Sequence, residues 1–280
     1  MTLPQLTHPT TQSASKQLGI IGGGVMAEAI LSCLLTQGTY AAADLIVSDV
    51  SESRLADLAQ TYGVGTTLHN LEVAQAASTV LLAVKPQSFA IIAAEFADAK
   101  IACGLWLSIL AGVPLSKLEA ALGDCPVIRV MPNTPALVGA GITALAPGKS
   151  ASPSHIATAE TIFAAVGEVL TVPEAWMDAI TGLSGSGPAF VAIAIEALTD
   201  GGVAAGLPRP IAAKLAVQTV RGTTELMIQK DLHPAVLKDQ VTSPGGTTIA
   251  GVASLEASGF RSALIQAVQA AYRRSKDLGQ

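Results

Sequence analysis

Gly22-Gly-Gly24-Val-Met-Ala27 comes directly after the apolar run Leu18-Gly-Ile-Ile21. Met26, Ala29, Ile30, Cys33 and Leu34 then recur at helical spacing until Gly38 stops the pattern. A strand, a glycine turn and a helix in that order can hold a phosphate. Gly22 permits the sharp turn, Gly24 lets the backbone approach a pyrophosphate, and Ala27 allows close packing of helix on strand. The free N–H groups of the first helical turn point at the anion. This setting makes a short GxGxxA pattern an expectation of dinucleotide binding. Asp49 ends a second apolar run, Leu45–Ser48. A carboxylate there would accept from a ribose 2′-hydroxyl and repel a 2′-phosphate. Ser48, Ser51, Ser53 and Arg54 could instead hold that phosphate, so NADH and NADPH both stay open as cofactors.

A second anion site is expected at Ser243-Pro-Gly-Gly-Thr-Thr248. Two glycines expose backbone amides, a helix starts immediately after, and the resulting concavity suits a carboxylate. Ser243 and Thr248 add hydroxyls. The bland alternative is helix capping by Thr242 or Ser243. Gly182-Leu-Ser-Gly-Ser-Gly-Pro-Ala189 reads as another glycine loop before a helix, either a cap or a second wall of the same site. Two resemblances fail. Gly148-Lys149-Ser150 would need a glycine where Thr143 stands, and Gly182–Ser186 lacks the last glycine of a nucleophile elbow. His8, His69, His155 and His233 are scattered without ligand spacing, so no metal is expected.

The elements that position these residues divide the chain. Apolar runs at Leu18–Ile21, Leu45–Ser48, Thr79–Val84, Leu105–Leu110, Pro126–Met131, Gly141–Ala146 and Val169–Val172 read as strands. Helices alternate with most of them. Ser51 caps one bearing Leu55 and Leu58, and Asn70 caps a short one. Two more cover Ser88–Phe96 and Pro114–Leu122. Ser152 caps another, with Pro153 in its first turn and Ile156, Ala159, Ile162 and Phe163 facing inward. The expected class is an α/β Rossmann domain, doubly wound on a mainly parallel sheet, over residues 17–172. Residues 173–280 read as all-helical, with helices at Pro188–Ala205, Arg209–Ile228, Thr247–Leu255 and Arg261–Leu278. Their apolar circumference (Ile193, Ile195, Leu215, Val217) favours a homodimer, because a lone helical domain of about 100 residues buries only part of its surface. Residues 1–16 are expected to be a flexible tail, without the apolar stretch of a signal peptide.

Composition narrows the function. Of 280 residues, 50% are hydrophobic and 13% charged, which excludes disorder as the main state. A net charge of −5 offers no basic face, so no nucleic-acid partner and no membrane surface are expected. Cys33, Cys103 and Cys125 are odd in number and widely spaced, as expected of reduced thiols in a cytoplasmic protein.

Together these segments resemble the pyrroline-5-carboxylate reductases from Leu18 onward. The resemblance rests on Ile-Gly-Gly-Gly-Val-Met-Ala27, Ala83-Val-Lys-Pro-Gln87, Ser108-Ile-Leu-Ala-Gly112 and Arg129-Val-Met-Pro-Asn-Thr-Pro135. The helical half adds Ser184-Gly-Ser-Gly-Pro-Ala189, Asp200-Gly-Gly-Val203, Gly206-Leu-Pro208, Val241-Thr-Ser-Pro-Gly-Gly-Thr-Thr248 and Gly259-Phe-Arg261. It implies a helical dimerisation domain, a homodimer with its active site at the interface, and higher assemblies such as a decamer of five dimers. It implies cofactor contacts at Gly22, Gly24, Val25, Met26, Ala27, Ser48, Asp49, Asn70, Ala83, Val84, Lys85, Pro86, Ala111 and Gly112. The substrate, 1-pyrroline-5-carboxylate, would lie against Val241, Thr242, Ser243, Gly245, Gly246, Thr247 and Thr248, and L-proline would leave. Val25 departs from a frequent Asn or Gln, Gln240 from a frequent Asn, and no arginine directly follows Asp49.

The implied reaction is hydride transfer from NADPH or NADH to an imine carbon. A protonated imine is already electrophilic, so no catalytic triad is required, and placement of the two carbons comes first. Thr248 is expected to bond the ring nitrogen and stabilise the developing amine. Lys85 is grouped with the cofactor. A 3-hydroxy-acid dehydrogenase of similar layout would need a lysine soon after the second glycine loop, and none appears between Gly187 and Lys214. A non-catalytic dinucleotide sensor would have no use for the 243–248 turn.

Overall fold

In a computed structural model, residues 16–96, 101 and 104–279 are described. The expected tail, apart from Lys16, and Cys103 lie outside the described residues. The apolar runs become the strands β1 (Lys16–Ile21), β2 (Leu45–Ser48), β4 (Ala77–Leu82), β5 (Leu105–Ser108), β6 (Val127–Met131), β7 (Gly141–Pro147) and β8 (Gly167–Thr171). A short β3 (Gly65–Thr67) joins them, unannounced by any apolar run. The sheet order is β3-β2-β1-β4-β5-β6-β7-β8. Every pairing is parallel except β6 with β7. Parallel neighbours need a long crossover, and β6 and β7 are joined only through the 3₁₀ turn Thr134–Val138, so the chain doubles back there.

Alternation along the strands feeds two cores. Leu18, Ile20, Leu45, Val47, Leu81 and Leu107 face one layer, with Ile30, Leu31 and Leu34 of α1 (Val25–Thr36), Leu58 of α2 (Glu52–Tyr62) and Phe163 of α6 (Pro153–Ala164). Ile21, Val80, Leu82 and Trp106 face the other, with Val73 of α3 (Asn70–Ala76), Phe96 of α4 (Phe89–Phe96) and Leu118 of α5 (Leu115–Leu122). Each such side chain, fully removed from water, contributes roughly 1.5–3 kcal/mol. Local signals set the helix ends. Ser51 Oγ accepts from the Arg54 N–H, and α2 stops at Gly63 in the left-handed region. Ser152 Oγ accepts from the His155 N–H, with Pro153 in the first turn of α6.

By packing, the chain forms two units: residues up to Thr181 with Arg274 onward, and Gly182–Arg273. The second holds α8 (Gly187–Ala204), α9 (Arg209–Lys230), α10 (Pro234–Gln240), α11 (Thr247–Ala257) and most of α12 (Phe260–Gly279). The glycine loop expected at Gly182–Ala189 is not a loop. The short α7 (Met177–Ile180) runs through a π-helical turn, Thr181–Gly185, towards α8. Glycine serves close packing there, because a Cβ on Gly182 would lie 2.8 Å from the Tyr272 nitrogen and 2.9 Å from the Val268 oxygen. Within this unit Ile193, Leu215, Val217 and Ile228 are exposed, Ile228 by 80%.

Candidate functional site

The expected dinucleotide residues gather at one edge of the sheet, beyond the carboxyl ends of consecutive parallel strands. Gly22–Ala27 follows β1, Ser48–Asp49 lies at the end of β2, and Asn70 follows β3. Ala83–Pro86 follows β4, and Ala111–Gly112 follows β5. From β1 the chain goes on to β2 and β3 on one side, then crosses to β4 on the other. That reversal opens a crevice between β1 and β4, the place where ligands bind in open α/β sheets.

The glycine turn is built for a ligand at one position and for the fold at the other two. Gly22 has φ +99°, and a Cβ on it would stand 2.8 Å from the Ala83 carbonyl oxygen. Gly23, the variable position of the fingerprint, is also constrained, since its Cβ would meet Leu58 Cδ1 at 2.9 Å. Gly24 has an ordinary φ of −68°, and a Cβ there would meet no protein atom within 4 Å. The fold gives no reason for glycine at 24, whereas an approaching pyrophosphate does. No side chain caps α1, so its first-turn N–H groups face that same space. These residues fit a dinucleotide. Val25 is exposed and Met26 half-buried, while Ala27 packs into the core.

Around this turn the side chains brace one another. Asp49 Oδ2 accepts from the Gly23 N–H at 2.8 Å, and Oδ1 accepts from the Ser51 N–H at 2.9 Å. Arg54 Nε donates to the Gly23 carbonyl at 2.6 Å, and its outer nitrogen pairs with Glu28 on α1. The hydrogen bond from Arg54 holds the Glu28 carboxyl below the usual range, with burial opposing and the Tyr62 hydroxyl adding to the lowering. Burial, followed by the hydrogen bond to Glu28, raises Tyr62. Ser48 is sealed, and its hydroxyl donates to Asn70 Oδ1 at 2.8 Å. Asn70 is the first residue of α3 rather than its cap, a place taken by His69. Its side chain instead spans Ser48 and Glu95, donating to Glu95 at 2.9 Å.

At the far side of the crevice, Ala83 N–H donates to the Ile21 carbonyl. Val84 is half-buried, and Lys85 stands exposed before the 3₁₀ turn Pro86–Ser88. Ala111 is exposed, and Gly112 has φ +75° with Leu278 Cβ 3.3 Å from where its own would be. Sequence reasoning missed Gly23, Glu28 and Leu278. Only Gly23, as a third consecutive glycine, carried a local signal.

In the second unit the 243–248 turn repeats the same construction. Gly245 has φ +66°, and a Cβ on Gly246 would come within 2.3 Å of Ser243 Oγ. The Gly246 N–H donates to the Ser243 carbonyl at 3.0 Å. Capping was the bland expectation, yet α11 has no side-chain cap, and Thr242 spends its hydroxyl on the Lys238 carbonyl at 2.6 Å. The Gly246 N–H is taken by the Ser243 carbonyl, so the first-turn N–H groups at Thr247 and Thr248 are the ones left for an anion. Val241 and Ser243 are exposed, and Thr248 is half-buried. Among the described residues no three His, Cys, Asp or Glu side chains group as metal ligands.

Comparison with known proteins agrees in both halves. Residues 174–278 match the family model described as pyrroline-5-carboxylate reductase dimerisation, and residues 17–112 match NADP oxidoreductase, coenzyme F420-dependent. A pyrroline-5-carboxylate reductase of Synechocystis is 56% identical over 95% of this chain and 99% of its own length. The Arabidopsis thaliana enzyme of that name is 42% identical over 95% and 96%. Among solved structures, the Coxiella burnetii reductase is 34% identical, covers 95% of this chain and 99% of its own, and superposes with a TM-score of 0.87. The Plasmodium falciparum enzyme, solved with NADP bound, is 30% identical over 95% and 99%, with a TM-score of 0.86. Likeness of this extent, carried through both glycine turns, makes the chain a member of the pyrroline-5-carboxylate reductase family.

Proposed function

We propose that the two glycine turns are the two halves of the reductase site, one for the dinucleotide and one for a small cyclic imino acid. The chain reduces 1-pyrroline-5-carboxylate to L-proline with NAD(P)H, the last step of proline synthesis. The observation that carries the reading is a repeated one. Both α1 and α11 begin uncapped behind a turn that contains a positive-φ glycine, at Gly22 and at Gly245. Two anion pockets match the two anions this reaction brings together, a pyrophosphate and a carboxylate.

When bound, the reduced nicotinamide supplies the hydride that the imine carbon accepts. The protein's own residues bind and orient. The amides at Gly24–Ala27 hold the pyrophosphate, since those of Gly22 and Gly23 are bonded to Ser48 and Asp49. Asp49, Asn70, Ala83–Pro86 and Ala111–Gly112 line the rest of the crevice. Ser243 Oγ and the amides of Gly245 and Thr247 hold the substrate carboxylate, with Val241 and Thr242 beside them and Gly246, its own N–H bonded to the Ser243 carbonyl, shaping the turn. Thr248 Oγ1 bonds the ring nitrogen and stabilises the amine as it forms. An imine needs no base to become reactive, so holding two carbons in register is the larger part of the catalysis.

The helical half forms a homodimer. The helix through Glu174–Ala204 is long and apolar enough to cross a membrane by length and composition, and little of it is buried in one chain. It lies within the match to a dimerisation domain, so a second subunit, not lipid, covers it. In this reading the active site lies at that interface, the dimers assemble into a decamer of five, the division of labour falls at 172/173, and the enzyme works in the cytoplasm. The deciding experiment incubates the purified protein with 1-pyrroline-5-carboxylate and reduced dinucleotide, following loss of nicotinamide absorbance and gain of proline. Light scattering gives the assembly. Absence of turnover with both NADH and NADPH would overturn the function, and a monomer would overturn the interface.

A further inference from the structure

At the rim of the dinucleotide crevice the charges are arranged in an uncommon way. Ser48–Tyr62, the segment that meets the adenosine end in such folds, contains one cation, Arg54. That cation is oriented and its charge is already paired, with the Nη1 donors left over. Its Nε donates to the Gly23 carbonyl at 2.6 Å and its outer nitrogen pairs with Glu28 on α1, whose other carboxylate oxygen accepts from the Tyr62 hydroxyl at 3.0 Å. Asp49 stands at the end of β2, with each oxygen taking one backbone N–H and retaining a lone pair. Glu52, in the first turn of α2, adds a second carboxylate to the rim.

We infer that Glu28 sets the dinucleotide preference by neutralising the charge of Arg54, the one cation of this rim segment, so that the chain favours NADH over NADPH. The inference rests on the dinucleotide reading above. A 2′-phosphate would bring about two negative charges to a rim that holds Asp49 and Glu52. It would find Arg54 with its charge already neutralised by Glu28, so a bond to the remaining Nη1 donors would offset little of that repulsion. A 2′-hydroxyl meets no such repulsion, since it donates to Asp49 and leaves the clasp intact.

The test is titration of the same protein with NADH and with NADPH, read by nicotinamide fluorescence, without substrate. Wild type should bind NADH more tightly. Glu28→Gln removes the charge yet keeps an oxygen for Tyr62, and Arg54 stays anchored by Nε on Gly23. It should shift the NADPH-to-NADH affinity ratio towards NADPH by about tenfold, the worth of one hydrogen bond to a charged group. Adding Arg54→Met should abolish the shift. Taking the ratio within each variant cancels any loss of folded protein. A wild type that prefers NADPH, or a ratio unmoved in Glu28→Gln, overturns the inference. So does a shift that survives Arg54→Met. Failure of both dinucleotides to bind wild type would instead overturn the dinucleotide reading itself.

Discussion

The main-chain N–H of Gly23 donates to Asp49 Oδ2 across 2.8 Å, joining the turn after β1 to the end of β2. Through its other oxygen Asp49 also holds the Ser51 N–H, so one carboxylate fixes two loops of the crevice. Asp49→Ala leaves the Gly23 N–H unpaired in a buried turn, which costs about 1–3 kcal/mol of stability. Urea unfolding measures that loss. Fluorescence titration should show weaker binding of both dinucleotides, with NADH, which donates to the carboxylate, hit harder.

Gly22 and Gly24 should fail in different ways when substituted. Gly22→Ala places a methyl group 2.8 Å from the Ala83 carbonyl at φ +99°, so the fold suffers first and the thermal midpoint drops by several degrees. Gly24→Val meets nothing in the protein, so the midpoint stays near wild type while dinucleotide binding is lost. Binding by Gly24→Val at wild-type affinity would refute the pyrophosphate placement.

Much of this was legible from the chain alone, and what was not follows physical lines. Strands buried on both faces announce themselves as apolar runs, which is why β1, β2, β4 and β5 were readable. The strand β3 is three residues long and half-buried throughout, so it has no pattern to read. The direction of β7 depends on the length of its connection, not on its own residues. Pro234 behind His233 was a usable start signal for α10, which His233 caps through its ring nitrogen. The glycines at 182–187 read as a loop because a π turn packed against α12 uses the same small residues as a loop does. The glycine turns of the site stood out because each carries a positive-φ glycine, Gly22 and Gly245, beside further glycines that leave room at the helix start. The Glu28–Arg54 clasp left no trace, because its partners are 26 residues apart on different helices.

Acid should expose that clasp. Glu28 titrates below its ordinary value of 4.5 in the folded chain, chiefly through its bond from Arg54. A depressed carboxylate contributes stability that is complete above the unfolded pKa and disappears as pH falls through the folded one. Glu28→Gln should therefore be less stable than wild type at neutral pH. The two denaturation midpoints should converge as pH falls through that lowered folded pKa, below which both side chains are uncharged. A gap that persists in acid would assign the loss to packing.

Arg129, on β6 with 8% of its side chain exposed, faces Glu174 at 3.3 Å and Asp178 at 3.6 Å, both more exposed than itself. Glu174 also accepts from the Leu115 N–H, and Asp178 from the Ser275 hydroxyl. The asymmetry in burial decides the outcome. Removing both acids, as Glu174→Gln with Asp178→Asn, strands a buried cation and should cost about 3 kcal/mol. Removing the cation, as Arg129→Met, leaves carboxylates that reach water and should cost less, about 1 kcal/mol. Chemical unfolding of the two variants ranks them, and the reverse order would refute the argument.

Thr248 offers the sharpest division between binding and chemistry. Its amide belongs to the uncapped start of α11, and its hydroxyl is free of any capping duty there. Thr248→Ala keeps the amide and removes the hydroxyl. The carboxylate grip, made by the amides and by Ser243, should survive, and dinucleotide affinity, set in the other unit, should not move. What is lost is the bond to the ring nitrogen, which strengthens only as the amine forms, so the loss belongs in kcat and not in KM. A drop of about 10²-fold is the ceiling for such a group. Thr248→Ser restores the hydroxyl without the methyl and should recover most of it. If Thr248→Ala raised KM and left kcat alone, the hydroxyl would be a ground-state contact, and catalysis would reduce to the placement of two carbons.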